Sequence, residues 1–565
     1  MNSQRLQDNI VVIPYLDTRA GKPITGRPTR CANATYGLDT GSTVNIYAPF
    51  ASQMDWDIAK WAKLCVLFSD RLELSYKNSK ELNKIIDKDL PGRPKFKCKQ
   101  IIVAGEAFDV FYRDIIECIK VLYSDPDFAN FLVFAPEHHY TDEDQTVRLF
   151  HDMHTGQWWW DTQCLIKDCP GATIIPVIIS SDKTQVTMFR NKSAYPPSRH
   201  AHILLAYLPT THLEHIVNKA SRHCTVANLY HACMSRILAP LKTAGIDGLM
   251  MSSGDGVQCH CHPLFVCFAG DYPEQLLATG VKAMECPKCD IPTEELGSNT
   301  APFKICNLHA VLDALARVDD GDLAFVQACR EAGIKPIIHP YWEDLPHANI
   351  FQAITPDVLH QIYQVKYAGF LLGIIINIRL PGNLASSRLL KAICGLLDFL
   401  YLAQYPCHSS ETLLLLDEAC ALFYNNKDIF IDLGIRNNFN LPKLHSGRHY
   451  STMIQTFGTT DNYNTEYTER LHIDLAKDAY HATNHKDEFT QMTKTALARY
   501  IAQQQNPNEA ITRQCLEKLA AGIHLPFHAV PVHHKIKWLS TDAQGHGDLL
   551  VTVDSIHARP HRNAL

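Results

Sequence analysis

Two aspartates, each placed directly after an apolar run, are the residues of this sequence with the clearest potential for chemistry. Asp182 ends the run ATIIPVIISSD, and Asp271 ends HPLFVCFAGD. Each run predicts a buried strand that finishes on a carboxylate. Two carboxylates at neighbouring strand ends repel each other unless a cation lies between them, which is what a divalent metal site requires. Either acid taken alone is explained more simply as a turn residue, since aspartate also favours turns.

The elements between the two aspartates predict how they meet. After the first strand come two short predicted strands, QVTMFR and HAHILLAYLP, a long helical pattern over 212–241, and then the strand that ends on Asp271. This order is that of an RNase H-like fold, in which a crossover helix returns the fourth strand beside the first. We therefore predict an α/β protein with an RNase H-like mixed sheet, a helical insertion and helical flanking regions. Two metal ions about 4 Å apart at such an edge promote phosphoryl transfer on nucleic acid.

A third carboxylate is expected from the segment NYNTEYTERLHIDLAKDAY, whose pattern predicts a helix. With about 3.6 residues per turn, Glu466, Glu469 and His472 fall on a drifting stripe of one helix face. Two acids therefore compete for the role of completing the metal site. The alternative is that both are exposed and only stabilise the start of the helix, by about 0.3 to 1 kcal/mol each.

Paired cysteines and histidines predict a second kind of metal site. Cys286 and Cys289 have the spacing of a ligand pair, and Cys306 and His309 supply another pair after sixteen intervening residues. Four such ligands from two pairs form a closed tetrahedral zinc site. The alternative is that they are ordinary core thiols. The CHCH segment at 259–262 is interpreted as a junction between a loop and a strand, because adjacent strand residues point to opposite faces and cannot all reach one ion.

Composition and charge narrow the class of protein. The chain has 565 residues, of which 46% are hydrophobic and 20% charged, a composition typical of globular proteins with several domains. Its longest apolar run, FLLGIIINI, has about half the length that a bilayer span needs, and the amino terminus lacks the pattern of a secretory signal. Nineteen cysteines, an odd number with no export signal, favour a reducing compartment, the cytosol or the nucleus.

A local basic excess in ELNKIIDKDLPGRPKFKCK predicts a contact with DNA, although the net charge of the whole chain is −6. Its GRPK segment is similar to the core of an AT-hook, which lies in an A·T-rich minor groove. A solvated turn explains the same residues more simply, because charge runs are usually exposed surface. The aromatic run at 158–160 is interpreted as packing rather than base stacking. The predicted DNA-binding residues are Lys84, Lys88, Arg93, Lys95, Lys97 and Lys99.

Several longer motifs carry a resemblance to a known family. They include FLVFAPEHHYTDEDQTVRLFHDMHTGQWWW, IISSDKTQ, CFAGDYPEQLLATG, ECPKC, AITPDVLHQIY and FGTTDNYNTEYTERLHIDLAKDAYHATNHKDE. From about residue 50 onward the chain resembles Plavaka-type transposases, fungal cut-and-paste enzymes related to the CACTA group. The resemblance implies a DDE triad in an RNase H-like fold, Mg²⁺ or Mn²⁺ as cofactor, DNA as partner, a homo-oligomer on DNA and a nuclear location.

The resemblance also assigns individual residues. It implies that Asp182 and Asp271 are the first two acids, because GDYP is followed by CPKC in the order found in CACTA relatives. It implies that Asp357 and His360, in DVLH, form the signature between the second acid and the final glutamate. The final acid of these relatives lies in a Glu-Arg pair at the start of a helix, which selects Glu469 over Glu466.

Two departures from the family pattern lead to a second hypothesis. The zinc-finger segment that commonly precedes the catalytic region is not seen here, and the helical stretch after Gln364 is shortened. The chain is therefore either a metal-dependent DNA transposase or an inactive or domesticated relic that binds DNA or partners. A nuclease of the same fold differs only in whether water or a 3′-hydroxyl attacks.

The predicted organisation has six parts. They are an extended arm (1–45), a mainly helical region with possible DNA contacts (46–165), the first part of the catalytic core (166–275), a Cys/His segment with a largely helical insertion (276–450), the catalytic helix region (451–500) and a C-terminal tail region (501–565).

Overall fold

The computed structural model describes residues 10–24, 94–166, 171–181, 202–209, 211, 213–254, 256–363, 383–465, 492, 535–540 and 552–557. Asp182, Glu466, Glu469 and His472 lie outside these residues, as do Lys84, Lys88, Arg93 and the predicted strand QVTMFR. The chain divides into two compact units, Met1–Tyr500 and Ile501–Leu565. Within the described residues, no helix is both long and apolar enough to cross a bilayer.

The centre of the first unit is a three-stranded sheet in the order β6-β9-β8. Strand β6 is Ala172–Ser180, β8 is Leu249–Ser252 and β9 is Gln258–Ala269. β6 and β9 run parallel, whereas β8 forms an antiparallel hairpin with β9 that the sequence did not predict. The prediction that the first and fourth strands of the core lie side by side is confirmed.

Strand β6 is buried at all nine positions because both faces of the sheet are covered. Its alternate residues point to opposite sides. One side packs against helix α3 (Lys219–Asp247) and the other against helix α2 (Gln157–Leu165) and residues 453–463. The two sets of β6 side chains are Ile175, Val177 and Ile179 on the first side, and Ala172, Ile174 and Ile178 on the second.

Helix α3, Lys219–Asp247, is the long crossover element between β6 and β9. Its buried residues Leu229, Cys233 and Ile237 recur every fourth position and form a stripe against the sheet. The helix begins later than the pattern over 212–241 predicts, because the Asn218 side chain caps the backbone N–H groups of the first turn. It ends at Gly248, whose φ of 68° lies in the region that favours glycine.

The region 46–165, predicted as mainly helical, contains four strands as well as helices in its described part. Strands β2 and β3 form a hairpin through Ala104 and Gly105, whose positive φ angles of 54° and 80° suit a two-residue turn that matches strand twist. The elements here are β2 (Lys97–Val103), β3 (Glu106–Tyr112), α1 (Ile115–Tyr123), β4 (Glu137–Tyr140), β5 (Arg148–Phe150) and α2 (Gln157–Leu165).

The first unit contains two further sheets, whose strands are shorter than β6 and β9. The first has the order β2-β3-β7, where β7 is Ala206–Tyr207. The predicted strand HAHILLAYLP is thus reduced to two strand residues, which pair with β3 instead of joining the central sheet, because β3 offers an edge to Tyr207 and Ala206. The second has the order β1-β4-β5-β10, with β1 at Val11–Pro14, inside the predicted arm, and β10 at His408–Ser409.

The predicted insertion at 276–450 is largely helical in its described part. Its longest helices, α8 and α9, approach closely at Gly395, where an added Cβ would meet the Phe423 backbone nitrogen at 2.7 Å. The helices are α4 (Tyr272–Thr279), α5 (Leu308–Leu315), α6 (Asp322–Glu331), α7 (Ile350–Ala353), a π-helical turn (Val358–Tyr363), α8 (Asn383–Leu402), α9 (Ser410–Asn426), α10 (Ile429–Asp432) and α11 (Pro442–His445), and α12 (Tyr450–Phe457) follows them.

The second unit contains an antiparallel pair of strands, β11 (Lys535–Ser540) and β12 (Thr552–His557).

Candidate functional site

The two strands that lead to the predicted acids end together. Ser180 of β6 lies opposite Ala269 of β9, and the backbone N–H of Ser181 donates to the Ala269 carbonyl at 3.1 Å. Asp182 is the next residue of the chain and lies outside the described residues. Asp271 follows β9 after one glycine. We call this side of the central sheet, together with the segment 354–357 described below, the carboxylate edge.

Asp271 has a structural role in addition to any chemistry. It is the N-cap of α4, and its Oδ1 accepts a hydrogen bond from the backbone N–H of Glu274 at 3.0 Å. Asp271 therefore has the local turn-type role that the sequence predicts as the alternative to metal binding. A capping carboxylate also interacts favourably with the positive end of the helix dipole.

Glu274 is a second carboxylate at this edge, and the sequence patterns did not identify it as a candidate site residue. Its side chain is 2% exposed, and the Ser181 hydroxyl donates a hydrogen bond to its Oε2. Glu274 thereby ties the first turn of α4 to the end of β6. The signal was the spacing Asp-x-x-Glu, typical of a capping box, in which the glutamate is expected to turn back toward the cap residue. Here it reaches the neighbouring strand instead.

The segment 354–357 extends the carboxylate edge beyond β9. Ile354 forms a parallel bridge with Phe268, and the Thr355 backbone N–H donates to the Phe268 carbonyl at 3.3 Å. The Gln275 side-chain amide donates to the carbonyls of Gly270 and Thr355, at 2.9 and 3.0 Å. These bonds fix the segment that carries Asp357 beside the end of β9.

Asp357 and His360 are in direct contact. The His360 Nδ1 and the Asp357 Oδ2 are 2.6 Å apart, and Asp357 is 1% exposed. The other carboxylate oxygen accepts a hydrogen bond from the Thr465 hydroxyl at 2.5 Å. Thr465 precedes Glu466 by one residue and Glu469 by four. The signature pair predicted from the sequence thus anchors the start of the segment that contains both candidate third acids.

Four buried side chains meet in what we call the Cys/His cluster. Its members are Cys286, Cys289, His445 and His449, and one ligand atom from each lies within 4.8 Å of the others. The Cys286 Sγ is 3.5 Å from the His449 Nε2, and the Cys289 Sγ is 3.1 Å from the His445 Nε2. Tetrahedral zinc with sulfur and nitrogen ligands holds its donors about 3 to 4 Å apart. The donor set therefore fits zinc.

The cluster takes one pair that the sequence predicts and one that it does not. Cys306 and His309 lie outside it: Cys306 is half-buried, with its backbone N–H bonded to the Lys288 carbonyl at 3.0 Å, and His309 is exposed on α5. The signal for the other pair was the spacing His-x3-His at 445–449, which matches the second half of common zinc patterns. The 155 residues between Cys289 and His445 hide that signal in the sequence.

Packing positions both histidines of the cluster. His445 ends α11 and His449 directly precedes α12, four residues later, so they follow each other on successive helical turns. The Phe303 ring contacts both imidazoles edge to face, with centroids 5.4 and 5.0 Å away. The Arg448 guanidinium lies 4.6 Å above the Phe303 ring and donates to the Ser298 carbonyl at 3.0 Å. The loop before α5 is thus fixed against the two histidines.

The electrostatics of Cys286 and His449 suit metal ligands, whereas the hydrogen bond with Cys286, followed by burial, raises the pKa of Cys289. Burial alone would raise the pKa of Cys286, but hydrogen bonds from Cys289, His445 and His449 outweigh it and hold that pKa well below its usual value. Burial lowers the pKa of His449. Thiolate and neutral imidazole are the forms that coordinate a metal ion.

Lys288 connects the Cys/His cluster to the carboxylate edge. It lies between the two cysteines, is 4% exposed, and its ammonium donates to three backbone carbonyls. The acceptors are Phe351 at 3.2 Å, Gln352 at 2.9 Å and Ile354 at 3.1 Å. A cation at the C-terminal end of α7 satisfies carbonyls that the helix leaves unpaired. Ile354 is the residue that pairs with β9.

The described part of the predicted DNA-binding surface is exposed. Lys95 precedes β2, and Lys97 and Lys99 lie on one face of that strand. Lys97 forms an ion pair with Asp114 at 3.0 Å, the carboxylate that caps α1. The remaining predicted residues, Lys84, Lys88 and Arg93, lie outside the described residues. The aromatic run 158–160 is packed: Trp158 and Trp159 are buried, and Trp160 stacks on His138 at 3.8 Å.

One protein-family model, described as Plavaka transposase, matches residues 76–372, just over half of the chain. The matched range includes the central sheet, Asp182, Asp271, both cysteines of the Cys/His cluster and the pair Asp357 and His360. A search among curated proteins found no match.

Proposed function

This chain belongs to the Plavaka transposase family, and from that premise we propose that it is a DNA transposase of the DDE type. It cleaves phosphodiester bonds at transposon ends and joins the resulting 3′-hydroxyl to target DNA in a metal-dependent reaction. The observation that carries the proposal is the parallel pairing of β6 and β9, because it delivers the chain positions next to Asp182 and Asp271 to one edge of the sheet. This arrangement supports an RNase H-like catalytic core.

The third acid in this proposal is Glu469. The hydrogen bond from Thr465 to Asp357 holds the chain at the carboxylate edge four residues before that glutamate. Asp357 is itself held beside the end of β9 by the bonds of Thr355 and Gln275. Asp357 and His360 therefore act as positioning residues rather than as part of the reacting site.

Three carboxylates suit a hard divalent cation, which prefers oxygen ligands. Asp182, Asp271 and Glu469 would hold Mg²⁺ or Mn²⁺, and such ions activate the attacking oxygen and stabilise the leaving oxygen of phosphoryl transfer. The protein's own contribution is rigidity. Asp271 is held by its cap bond to α4, and Glu274 fixes that helix to the end of β6. Side chains on such helices and strands are held in position more precisely than side chains on a loop.

The Cys/His cluster has a different proposed role, a structural zinc site. Its four ligands come from the start and the end of the predicted insertion, so one ion joins segments that are 155 residues apart in sequence. Through Lys288 the same ion would stabilise the backbone of 351–354 and hence the carboxylate edge. Zinc with four protein ligands contributes to folding and has no open position for substrate.

DNA is the proposed partner, as the family implies, with a nuclear site of action and a homo-oligomer on DNA. Lys95 and Lys99 are exposed and could contact phosphates, whereas Lys97 is engaged with Asp114. Removal of one lysine–phosphate interaction should reduce the slope of log affinity against log salt by about 1. We therefore expect Lys99→Ala to lower the salt dependence of DNA binding more than Lys97→Ala does.

The test is cleavage of DNA that carries the ends of the parent element, in Mg²⁺ or Mn²⁺, by the purified full chain. Asp182→Asn and Glu469→Gln should abolish cleavage and leave salt-sensitive DNA binding intact, while Glu466→Gln keeps most activity as the matched control. Cleavage by Asp182→Asn would contradict the triad. The opposite ranking of the two glutamates would move the assignment to Glu466, and a wild-type protein that binds DNA without cleaving it would indicate an inactive relic.

A further inference from the structure

A second group of metal-ligand side chains lies on the sheet β1-β4-β5-β10. His139, His151 and His154 each place a ring nitrogen within 4.8 Å of the other two, and we call them the histidine cluster. Ring centroids are 4.8 Å apart for His139 and His151, 5.6 Å for His139 and His154, and 5.3 Å for His151 and His154. We propose that the histidine cluster is a second transition-metal site, which binds Zn²⁺ through three imidazoles and one water.

Strand register brings the first two histidines together. His139 of β4 lies opposite Leu149 of β5. His151 comes two residues after Leu149, just past the end of β5, and so continues on the same side as His139. His154 follows in a 3₁₀ turn at Met153–Thr155. The Thr155 hydroxyl accepts from the His151 backbone N–H at 3.0 Å and donates to the Asp152 carbonyl at 2.7 Å. These two bonds fix the backbone between His151 and His154.

The hydrogen bonds already assign which nitrogens face the metal. The His139 Nε2 lies 2.9 Å from the Glu137 carboxylate, and the His151 Nδ1 lies 3.4 Å from that of Asp152. The opposite nitrogens, His139 Nδ1 and His151 Nε2, are 2.9 Å from each other. A histidine that ligates a metal almost always donates its outer N–H to a carboxylate or carbonyl. Two of the three histidines here have this arrangement.

The donor set and its exposure define the class of ion. Three imidazole nitrogens suit Zn²⁺, Ni²⁺ or Cu²⁺ better than Mg²⁺ or Ca²⁺, which prefer oxygen. The side chains of His139 and His151 are 12% and 25% exposed, so solvent can reach the group and supply a fourth ligand. In the Cys/His cluster, by contrast, all four ligands are buried.

The site would also fix the far end of α12. The His151 carbonyl accepts hydrogen bonds from the Thr459 N–H at 2.8 Å and from the Asn462 side chain at 2.8 Å. Residues 459–462 connect α12 to Thr465, while His449 of the Cys/His cluster directly precedes that helix. A metal ion in each cluster would therefore hold the segment 449–465 from both ends.

The experiment is zinc analysis of the purified full chain after exhaustive dialysis against metal-free buffer. The wild type should retain about two zinc ions per chain, His139→Asn and Cys289→Ser one each, and the double variant none. His138→Asn is the matched control, because His138 neighbours His139 but packs on Trp160 on the other face of β4. It should keep both ions.

Two further measurements keep the inference testable if His139→Asn misfolds. Glu137→Gln retains every imidazole. It should lower the zinc affinity of the histidine cluster by about 10- to 100-fold, measured in competition with a chelator, and leave that of the Cys/His cluster unchanged. Cobalt bound to the histidine cluster should show no thiolate-to-metal charge transfer, and Cys289→Ser should leave that spectrum unchanged. One zinc per chain, lost only in Cys289→Ser, overturns the inference and leaves the Cys/His cluster as proposed. Two zinc ions in His139→Asn overturn it equally.

Discussion

The carboxylate edge and the Cys/His cluster are assembled by different forces. At the edge, main-chain pairing between β6, β9 and Ile354 sets the positions, and the acidic side chains take no part in the pairing. In the cluster, four side chains from two segments that are distant in sequence meet at one point. The edge should therefore tolerate the loss of the Asp271 carboxylate, whereas the cluster should not tolerate the loss of a ligand.

The two regions therefore differ in whether a substitution affects catalysis or the free energy of unfolding. A functional acid can be replaced with little change in folding when the scaffold is held by strand pairing and core packing. A structural metal ion contributes its binding free energy to folding, because the unfolded chain does not present the same ligand set. The two regions are nevertheless coupled through Lys288, so damage to the cluster should also weaken the edge.

The largest expected effect is on the cluster. Cys289→Ser should lower the free energy of unfolding by more than about 4 kcal/mol in the zinc-loaded protein, because zinc affinity of that order is lost with a ligand. Thermal unfolding with and without a chelator measures it. The chelator should lower the melting temperature of the wild type by more than that of the variant, which has already lost the ion of the Cys/His cluster.

Cys306→Ser is the matched control for that substitution. Cys306 is a partly buried cysteine of the same segment, and the sequence predicted it as a ligand. Since its side chain lies outside the cluster, zinc content should stay unchanged and the loss of stability should be below about 1.5 kcal/mol. Loss of zinc in this variant would show that the ligand set predicted from the sequence is used.

Sequence patterns predicted the edge better than the cluster, and the reason is physical. Strands β6 and β9 and helix α3 are long apolar elements whose periodicity is local, and their order alone predicts parallel neighbours. Cys286 and Cys289 have a local spacing too. Their partner ligands are not close to them in sequence. The packing of the whole insertion determines that His445 and His449, rather than Cys306 and His309, lie beside the two cysteines.

The same limit applies to short elements. The hairpin of β8 and β9 and the two-residue strand β7 depend on which edges are available in three dimensions, and neither carries a strong period of its own. Glu274 is an example for a side chain. Its spacing from Asp271 predicts a capping box, but its carboxylate instead accepts a hydrogen bond from Ser181 across the edge. Tertiary contacts outweigh local preference at each of these places.

A smaller effect sharpens the comparison at the link between Asp357 and Thr465. Asp357→Asn removes a buried charge that binds His360 and Thr465, and we expect a loss of about 2 kcal/mol in unfolding free energy. Thr465→Val removes one of those bonds alone and should cost about 1 kcal/mol. The double variant should lose less than the sum, because the two residues share a bond. Strict additivity in denaturant unfolding would mean that the contact contributes no stability.

The core beneath the edge should respond to pH. Burial holds the pKa of His231 at about 3, below its ordinary value of 6.5, and its Nε2 donates to the Leu277 carbonyl at 2.9 Å. Below pH 6.5 the unfolded state therefore binds a proton at His231 that the folded state does not bind. The contribution of His231 to the free energy of unfolding is complete above pH 6.5 and decreases as the pH drops toward 3. Between pH 6.5 and 5 this histidine should account for roughly 1.5 kcal/mol.

His231→Gln tests that share of the pH dependence. Glutamine can still donate toward Leu277 but has no proton to gain, so its stability should fall less steeply between pH 6.5 and 5 than that of the wild type. The quantity to compare is the difference between the two proteins at each pH, so that the proton dependence of zinc binding cancels. Parallel curves from denaturant unfolding would show that the pKa of His231 is the same in the folded and unfolded states.

The smallest expected effect on stability is the one that tests the comparison most directly. Asp271→Asn keeps the N-cap of α4, because asparagine caps a helix about as well as aspartate, so unfolding should change by less than about 1 kcal/mol. Cleavage should nevertheless disappear, since a neutral amide is a poor ligand for a hard cation. Glu274→Gln is the matched variant: its amide oxygen can still accept from Ser181, and cleavage should persist. If Asp271→Asn is destabilised as much as Cys289→Ser, the edge depends on its acid for folding and the two regions are stabilised in the same way. If both variants fold and only Glu274→Gln loses cleavage, the metal-binding carboxylate on α4 is Glu274, and Asp271 serves only as the cap.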